Sequence, residues 1–375
     1  MVSPFQKALA EKVKAGTKRD LKLRHGCSLD FTSNDYLALS SHPAVIQAAK
    51  AALDSYGTGA TGARLLSGNS KPLEDLEIEL AQLKDQQAAL VFNTGFQANL
   101  TILGTLLSNQ YYDKTPIVFS DRLNHASIHQ GCQLAGARQH RYHHVDYDHL
   151  HSLIKKHAVP GHPHFILTES VFGMDGDVAD LGIICDLAET VGAYVYVDEA
   201  HATGVLGDNG SGLSSAYANR LFGVMGTFSK ALGGFGAYFA GSQELKDFLI
   251  NFAPGFIYST ALPPATIAAN HQAIKLLPTL QQERQHLQAL AQQLRSHLSQ
   301  MGFNTGQSTT HIIPLILGDV EKATKLQHHL IDGGILTSLI RPPTVPPHTS
   351  RLRLALQAKH TVDDIKLLTD VMAQF

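Results

Sequence analysis

The sequence predicts an α/β fold: a mainly parallel sheet wrapped by helices on both faces, with a smaller α+β domain after it. Three observations carry this. Short apolar runs start near residues 88, 117, 164, 193, 222 and 236, most of them separated by segments with helical spacing, the alternation that builds parallel sheets. Beyond Gly241 the texture changes to a long helical region rich in Gln and Leu and then to new short strands. The length, 375 residues, exceeds that at which one core usually stops growing. The expected division is an N-terminal arm at 1–40, a large domain at 41–255 and a small C-terminal domain at 256–375.

Composition narrows the class. Apolar residues at 44% and charged residues at 17% describe a globular chain with a substantial core. A formal charge of −2 gives no electrostatic reason to expect nucleic acid or a membrane as partner. No apolar run reaches membrane-spanning length, and the start Met-Val-Ser-Pro-Phe-Gln-Lys lacks the apolar core of a signal peptide. Cys27, Cys132 and Cys185 are odd in number and without metal spacing, so no metal is expected and a reducing, cytoplasmic setting is the default.

In chain order, Lys7 to Lys14 is a charged helical segment, followed by the basic run Lys18, Arg19, Lys22 and Arg24. Such a run reads as a solvated arm, or more sharply as a lid over an anionic substrate. Leu29 to Ser41 starts apolar and breaks into turn residues, and Pro43 to Tyr56 is an Ala-rich helix ended by Gly57. Residues 57–70 form a glycine loop with no strand before it, which argues against a dinucleotide fingerprint. Pro72 to Leu83 carries Leu73, Leu76, Leu80 and Leu83 on one stripe and reads as core helix. After the strand Ala88 to Phe92, Thr94, Gly95 and Phe96 open a helix that runs to about Leu107. Free N–H groups at such a start favour a phosphate.

Ile117 to Ser120 and His164 to Thr168 are strands, with His125 just beyond the first and Glu169 at the end of the second. Asp180 to Val191 is a helix, and Ala193 to Val197 the strand that delivers Asp198. A carboxylate at the C-terminal end of a buried strand points into the crevice where open α/β sheets bind ligands. Lys230 follows the run Phe222 to Phe228 inside a Ser/Gly-rich turn, where a partly desolvated amine can attack a carbonyl. Pyridoxal phosphate chemistry needs this pair, a lysine for the Schiff base and an acid that keeps the pyridine nitrogen protonated. Further on, Leu287, Leu290 and Leu294 keep helical spacing, strands are expected at Ile312 to Leu317, Ile335 to Ile340 and Arg351 to Leu356, and helices near 320–332 and 361–373.

Asn-Asp-Tyr-Leu, the 57–70 loop, Thr-Gly-Phe-Gln-Ala-Asn, Leu-Asn-His-Ala-Ser, Met-Asp-Gly-Asp, Asp-Glu-Ala-His, Thr-Phe-Ser-Lys and Arg-Pro-Pro-Thr-Val-Pro follow one another in this chain. The set resembles the α-oxoamine synthases, fold-type I pyridoxal-phosphate enzymes with an aspartate aminotransferase-like sheet of seven strands, across roughly residues 29–375. The resemblance implies that Lys230 carries the cofactor and moves the α-proton, that Asp198 pairs with the pyridinium, that His201 meets the phenolic oxygen and that His125 stacks on the ring. It implies phosphate contacts from Gly95, Phe96, Thr227 and Ser229, and from Thr260 of a second subunit, hence a homodimer. It gives Arg353 the amino-acid carboxylate and puts Arg24, Asn34, Glu169 and Arg341 near the substrates. Gly173 stands where members commonly carry Ser, so one hydrogen bond to the phenolic oxygen is expected to be absent.

The implied reaction is decarboxylative condensation of an amino acid with an acyl thioester. The Arg341-Pro-Pro-Thr-Val-Pro motif is most similar to that of the member joining L-alanine to a pimeloyl thioester, on coenzyme A or acyl carrier protein, for biotin synthesis. A sister synthase using glycine or another acyl donor shares every catalytic residue named. A plain aminotransferase fits the motif set less well, and a non-catalytic partner of the same fold has no need to keep Lys230, Asp198 and both histidines.

Overall fold

The computed structural model describes residues 3–21 and 27–375, so Arg24 lies outside the described residues. In chain order the strands are β1 (Leu29–Asp30), β2 (Ala88–Phe92), β3 (Ile117–Asp121), β4 (Gln139–Tyr142), β5 (His164–Glu169), β6 (Tyr194–Asp198), β7 (Gly223–Thr227), β8 (Ala237–Gly241), β9 (Ile312–Gly318), β10 (Ile335–Leu336), β11 (Ser338–Ile340) and β12 (Ser350–Ala355). Seven of them form the central sheet in the order β2-β8-β7-β6-β5-β3-β4. Only β8 runs antiparallel to its neighbours. It follows β7 through a short turn, which can only fold the chain back, whereas the parallel pairs are joined by longer crossovers.

Every residue of β2, β5, β7 and β8 is buried, as expected of strands covered on both faces. On one face the helices Gly95–Leu106, Ala126–Leu134 and Gln243–Phe252 pack on Phe165, Tyr196 and Phe239. On the other, Tyr147–His157 and Leu181–Glu189 pack on Ile166, Val195 and Val197. The C-terminal part builds the antiparallel sheet β11-β12-β9 with helices Gln281–Gln300, Val320–Asp332 and Val362–Met372. Its Leu287, Leu315 and Leu354 share one buried cluster with Val91 and Tyr238 of the central sheet. β1 pairs parallel with β10 and stitches the start of the chain to this part.

Three local readings change. β4 was not expected: Gln-His-Arg-Tyr has no apolar alternation, and only Tyr142 is buried because the strand sits at the sheet edge. The strand expected over 335–340 is divided at Thr337 between a pairing with β1 and one with β12. The glycine loop contains a wide turn at Arg64–Gly68. The N-terminal helix Pro4–Lys14 buries no residue, and its capping box joins Ser3 to Gln6.

Candidate active site

Parallel register sets two acids side by side at the C-terminal ends of the central strands, because Glu169 pairs with Asp198 and Asp198 with Met225. Both carboxyls are buried. Asp198 Oδ1 accepts the Ala200 N–H at 2.9 Å and Oδ2 the Asn99 amide at 2.8 Å. Glu169 accepts the His125 N–H at 2.6 Å. Burial and then the neighbouring Asp198 push the Glu169 carboxyl well above the usual carboxylate range, against the pull of Lys230.

Lys230 follows β7, and its Nζ lies 2.9 Å from His201 Nε2. Burial brings its pKa down to about 8, opposed by Asp198 and Glu169 and helped by Arg353. An amine in that range is partly unprotonated near neutrality and so nucleophilic. His201 is held on its other side by Tyr36, whose hydroxyl is 2.7 Å from Nδ1. Burial, then Lys230 and Arg353, keep the His201 imidazole neutral, well below its usual titration range. His125 is lowered as well, by burial and by Lys230, with Asp198 opposing.

The small sheet supplies the cation. Arg353, in the middle of β12, is buried and donates from Nε to the Gly173 carbonyl at 2.5 Å, and from Nη2 to Asn34 at 3.1 Å and Tyr36 at 3.2 Å. All these partners are neutral, so among the described residues the guanidinium has no carboxylate in hydrogen-bond contact. Beside it His311 lies edge-on to Tyr36 at 4.0 Å, and burial followed by Arg353 takes its pKa down to about 3.

The helix Gly95–Leu106 opens at the same edge. Thr94 caps the Gln97 N–H at 3.1 Å, and the first N–H groups, those of Gly95 and Phe96, precede any intrahelical partner. A Cβ on Gly95 would meet Thr227 Cγ2 at 2.6 Å, so glycine permits the close approach of helix and strand. Among the described residues, the buried Thr227 Oγ1 has no hydrogen-bond partner.

Of the residues expected from sequence, Lys230, Asp198, His201, His125, Glu169, Asn34 and Arg353 converge. Ser229 and Thr260 are exposed at the rim, and the Thr260 carbonyl accepts from Asn93 at 2.9 Å. Arg341 turns instead to the arm, donating to the Lys18 carbonyl at 2.8 Å, while Arg19 reaches Thr344 at 2.9 Å. Tyr36, Asn99, Ser127, His144 and His311 were not singled out as functional. The first three lie inside the quoted motifs; His144 and His311 carry no local signal.

Gly173 has a reason of its own. A Cβ there would sit 2.2 Å from His201 Nε2, so the imidazole occupies the space a side chain would need. Gly173→Ala is expected to displace the ring and break its contact with Lys230, costing about 1–3 kcal/mol and roughly tenfold in turnover. A melting curve with a steady-state assay checks both.

Behind the site, His144 bridges Asp121 at 3.0 Å and Asp177 at 2.7 Å, tying the loop that carries His125 to the turn that carries Gly173. Burial lowers its pKa, but the hydrogen bonds to Asp121 and Asp177 win and raise it to about 10. A pKa raised on folding gives stability that is complete below the ordinary value of 6.5 and is lost as pH rises through about 10. The unfolding midpoint should therefore fall between pH 7 and 10, by the equivalent of roughly 3–5 kcal/mol at most. His144→Gln should flatten that slope in denaturant titrations.

Among the described residues, His143, Asp146 and His149 bring potential metal-ligand atoms within 4.8 Å of one another. His149 Nδ1 already accepts the His143 N–H at 3.0 Å. A cavity of about 810 Å³ lies at the opposite, N-terminal end of the strands, against Tyr194, Phe222 and Arg220, and contains none of the expected site residues.

The family model for class I and II aminotransferases matches residues 28–371. An 8-amino-7-oxononanoate synthase of Gluconacetobacter diazotrophicus is 48% identical over 340 residues, covering 90% of this chain and 85% of the relative. Among solved structures, SPT with its PLP internal aldimine superposes with a TM-score of 0.90 at 29% identity, over 99% of this chain and 98% of that one. The 8-amino-7-oxononanoate synthase of Francisella tularensis gives a TM-score of 0.79 at 29% identity, over 92% and 97%. With the sheet order, the Asp198–Lys230 neighbourhood and these likenesses in agreement, the chain belongs to the class I and II aminotransferase family and, within it, to the 8-amino-7-oxononanoate synthase branch of the α-oxoamine synthases.

Proposed function

We propose that the chain catalyses the pyridoxal 5'-phosphate-dependent condensation of L-alanine with a pimeloyl thioester, on coenzyme A or acyl carrier protein, yielding 8-amino-7-oxononanoate, CO2 and free thiol. The observation that carries this reading is one cluster holding a depressed lysine, a doubly hydrogen-bonded aspartate and a guanidinium without a carboxylate. The residues present fit the cofactor. The orphan hydroxyl of Thr227 beside the free helix N–H groups suits a phosphate, and Lys230 suits a carbonyl carbon.

Gly95, Phe96, Thr227 and Ser229 would hold the phosphate, with Thr260 of the partner subunit completing it. Asp198 would hold the pyridine nitrogen's proton, His125 would lie on the ring face and His201 would face the phenolic oxygen. When bound, the cofactor supplies an electron sink for the pairs released at the amino acid's α-carbon and carboxylate.

Lys230 Nζ takes the α-proton of alanine and returns a proton to the same carbon after CO2 has left. It suits both tasks because its pKa lies close to neutrality. Arg353 grips the alanine carboxylate with donors that now rest on Asn34 and Tyr36. Glu169, whose carboxyl is pushed up by burial and by Asp198, lies beside the aspartate close to the substrate position. Arg353→Lys loses the planar fork and is expected to raise the KM for alanine roughly 10–100-fold, the equivalent of one charge-assisted hydrogen bond, with a smaller effect on kcat in steady-state kinetics.

Leu66 and Tyr258 are 85% and 83% exposed near the glycine loop and Thr260, an apolar rim that supports a homodimer sharing its sites. The boundary at 255/256 is likewise a proposal, supported by the separate small sheet. No helix among the described residues is long and apolar enough to cross a membrane, in keeping with the cytoplasmic setting we propose. Purified protein assayed with L-alanine and pimeloyl thioester, against glycine with shorter acyl thioesters, tests the substrate assignment. CO2 and free thiol from the first pair support it, and turnover of the second pair alone overturns it.

A further inference from the structure

Asn99 lies on the helix Gly95–Leu106, one turn after its N-terminus, and is fully buried. The Tyr196 hydroxyl donates to its Oδ1 at 2.7 Å, and turning the amide over would set its oxygen against the Asp198 carboxylate, two acceptors facing each other. Its Nδ2 then faces two acceptors, Asp198 Oδ2 at 2.8 Å and Ser127 Oγ at 2.9 Å, and both amide hydrogens are used. The Ser127 N–H donates to His125 Nδ1 at 3.3 Å, which makes that nitrogen an acceptor, so the Ser127 hydroxyl, 2.7 Å away, turns its proton towards it. The chain of donors has one direction, from Tyr196 through Asn99 to the acid on one branch and to the imidazole on the other. It leaves Asp198 only accepting roles and places the His125 proton on Nε2.

We infer that Asn99 is a positioning residue that aims the Asp198 carboxylate and the His125 ring at one cofactor from opposite branches of a single amide. This rests on the cofactor reading above. Asn99 also sits on the helix whose first N–H groups would hold the phosphate, so the same rigid element would set phosphate, ring nitrogen and ring face relative to one another. The amide does what no charged residue of the same shape can do here. A carboxylate at this position turns both donors into acceptors, against Asp198 on one side and a hydroxyl already committed to His125 on the other. The ionisable groups facing the position are Asp198, Tyr196 and His125, with Cys132 beside Tyr196 and Glu169 and Lys230 beyond Asp198.

The decisive variant is Asn99→Asp, read by titration of pyridoxal 5'-phosphate into the full-length protein at pH 6 and pH 8.5, following visible absorbance and the cofactor Kd. Burial and the adjacent carboxylate favour protonation of the introduced acid at the lower pH, where it again donates as an amide would. The expected Kd is within about threefold of wild type at pH 6 and at least about tenfold weaker at pH 8.5. Asn99→Ala should be weaker at both. Turnover should follow the same pH pattern in kcat, with the KM for alanine changed less than about threefold, since Arg353 is untouched. An Asn99→Asp protein whose Kd ratio to wild type does not change with pH overturns the inference, as does Asn99→Ala binding like wild type. Should Asn99→Asp not fold, Tyr196→Phe decides: it removes only the donor that fixes the amide, and is expected to weaken binding about threefold or more, whereas an unchanged Kd overturns the inference. Wild-type protein that takes up no cofactor defeats the cofactor reading itself, a different result from an unshifted variant.

Discussion

Lys230→Ala is expected to lower turnover by roughly 10³-fold or more while the protein still takes up pyridoxal phosphate. The variant removes the amine assigned to hold the cofactor's carbonyl carbon and to move the α-proton, two tasks no neighbour can take over. His201, at 2.9 Å, is kept neutral by burial, but its ring is fixed on Tyr36 and has no reach of its own. General acid–base transfer by one positioned group is worth about 10²–10⁴-fold, and loss of the covalent step adds to that. The helix N-terminus, Thr227 and Asp198 remain, so non-covalent binding persists. Borohydride reduction followed by intact mass should show the cofactor attached to wild type and absent from the variant. Normal turnover by the variant would remove Lys230 from the mechanism.

Lys84→Met should produce the largest loss of stability, about 3–5 kcal/mol, because it strands a buried carboxylate. Lys84 and Glu199 are both fully buried, with Nζ 2.7 Å from Oε2. Lys84 also donates to Thr203 at 2.8 Å and to the Ser211 carbonyl. Glu199 accepts the N–H groups of Leu213 at 2.7 Å and Ser214 at 2.9 Å. The pair therefore pins the stretch that follows Asp198 and includes His201. Removing one partner leaves an uncompensated charge in an interior that cannot hydrate it. The double change Lys84→Met with Glu199→Leu should regain a good part of the loss, because replacing both members leaves no unpaired charge. Thermal melts of the single and the double variant measure this, and a Lys84→Met protein as stable as wild type would refute the ion pair's role.

The part of the site that could be read from the chain is the part written in local pattern. Asp198 ends an apolar run, Lys230 sits in a Ser/Gly turn after another, and Thr94 to Phe96 open a helix after a third. Each is a statement about a few neighbouring residues, and strand ends and helix starts follow from such neighbourhoods. β4 escaped because its residues are polar and its strand identity comes from pairing with β3 alone. Arg341 shows what a motif leaves open: its hydrogen bond to the Lys18 carbonyl of the arm follows only from the fold.

By itself the sequence determined the alternation of strands and helices and the acid and amine placed at their ends, because periodicity and turn chemistry act over one or two turns of chain. Tertiary structure alone decided that Glu169 stands beside Asp198 with its carboxyl pushed up, that His201 fills the space at Gly173, that His144 clasps two loops and that Asn99 serves both the acid and the imidazole. Protonation state and donor direction are properties of contacts between residues up to about a hundred or more positions apart, and these contacts exist only once the sheet has set its register.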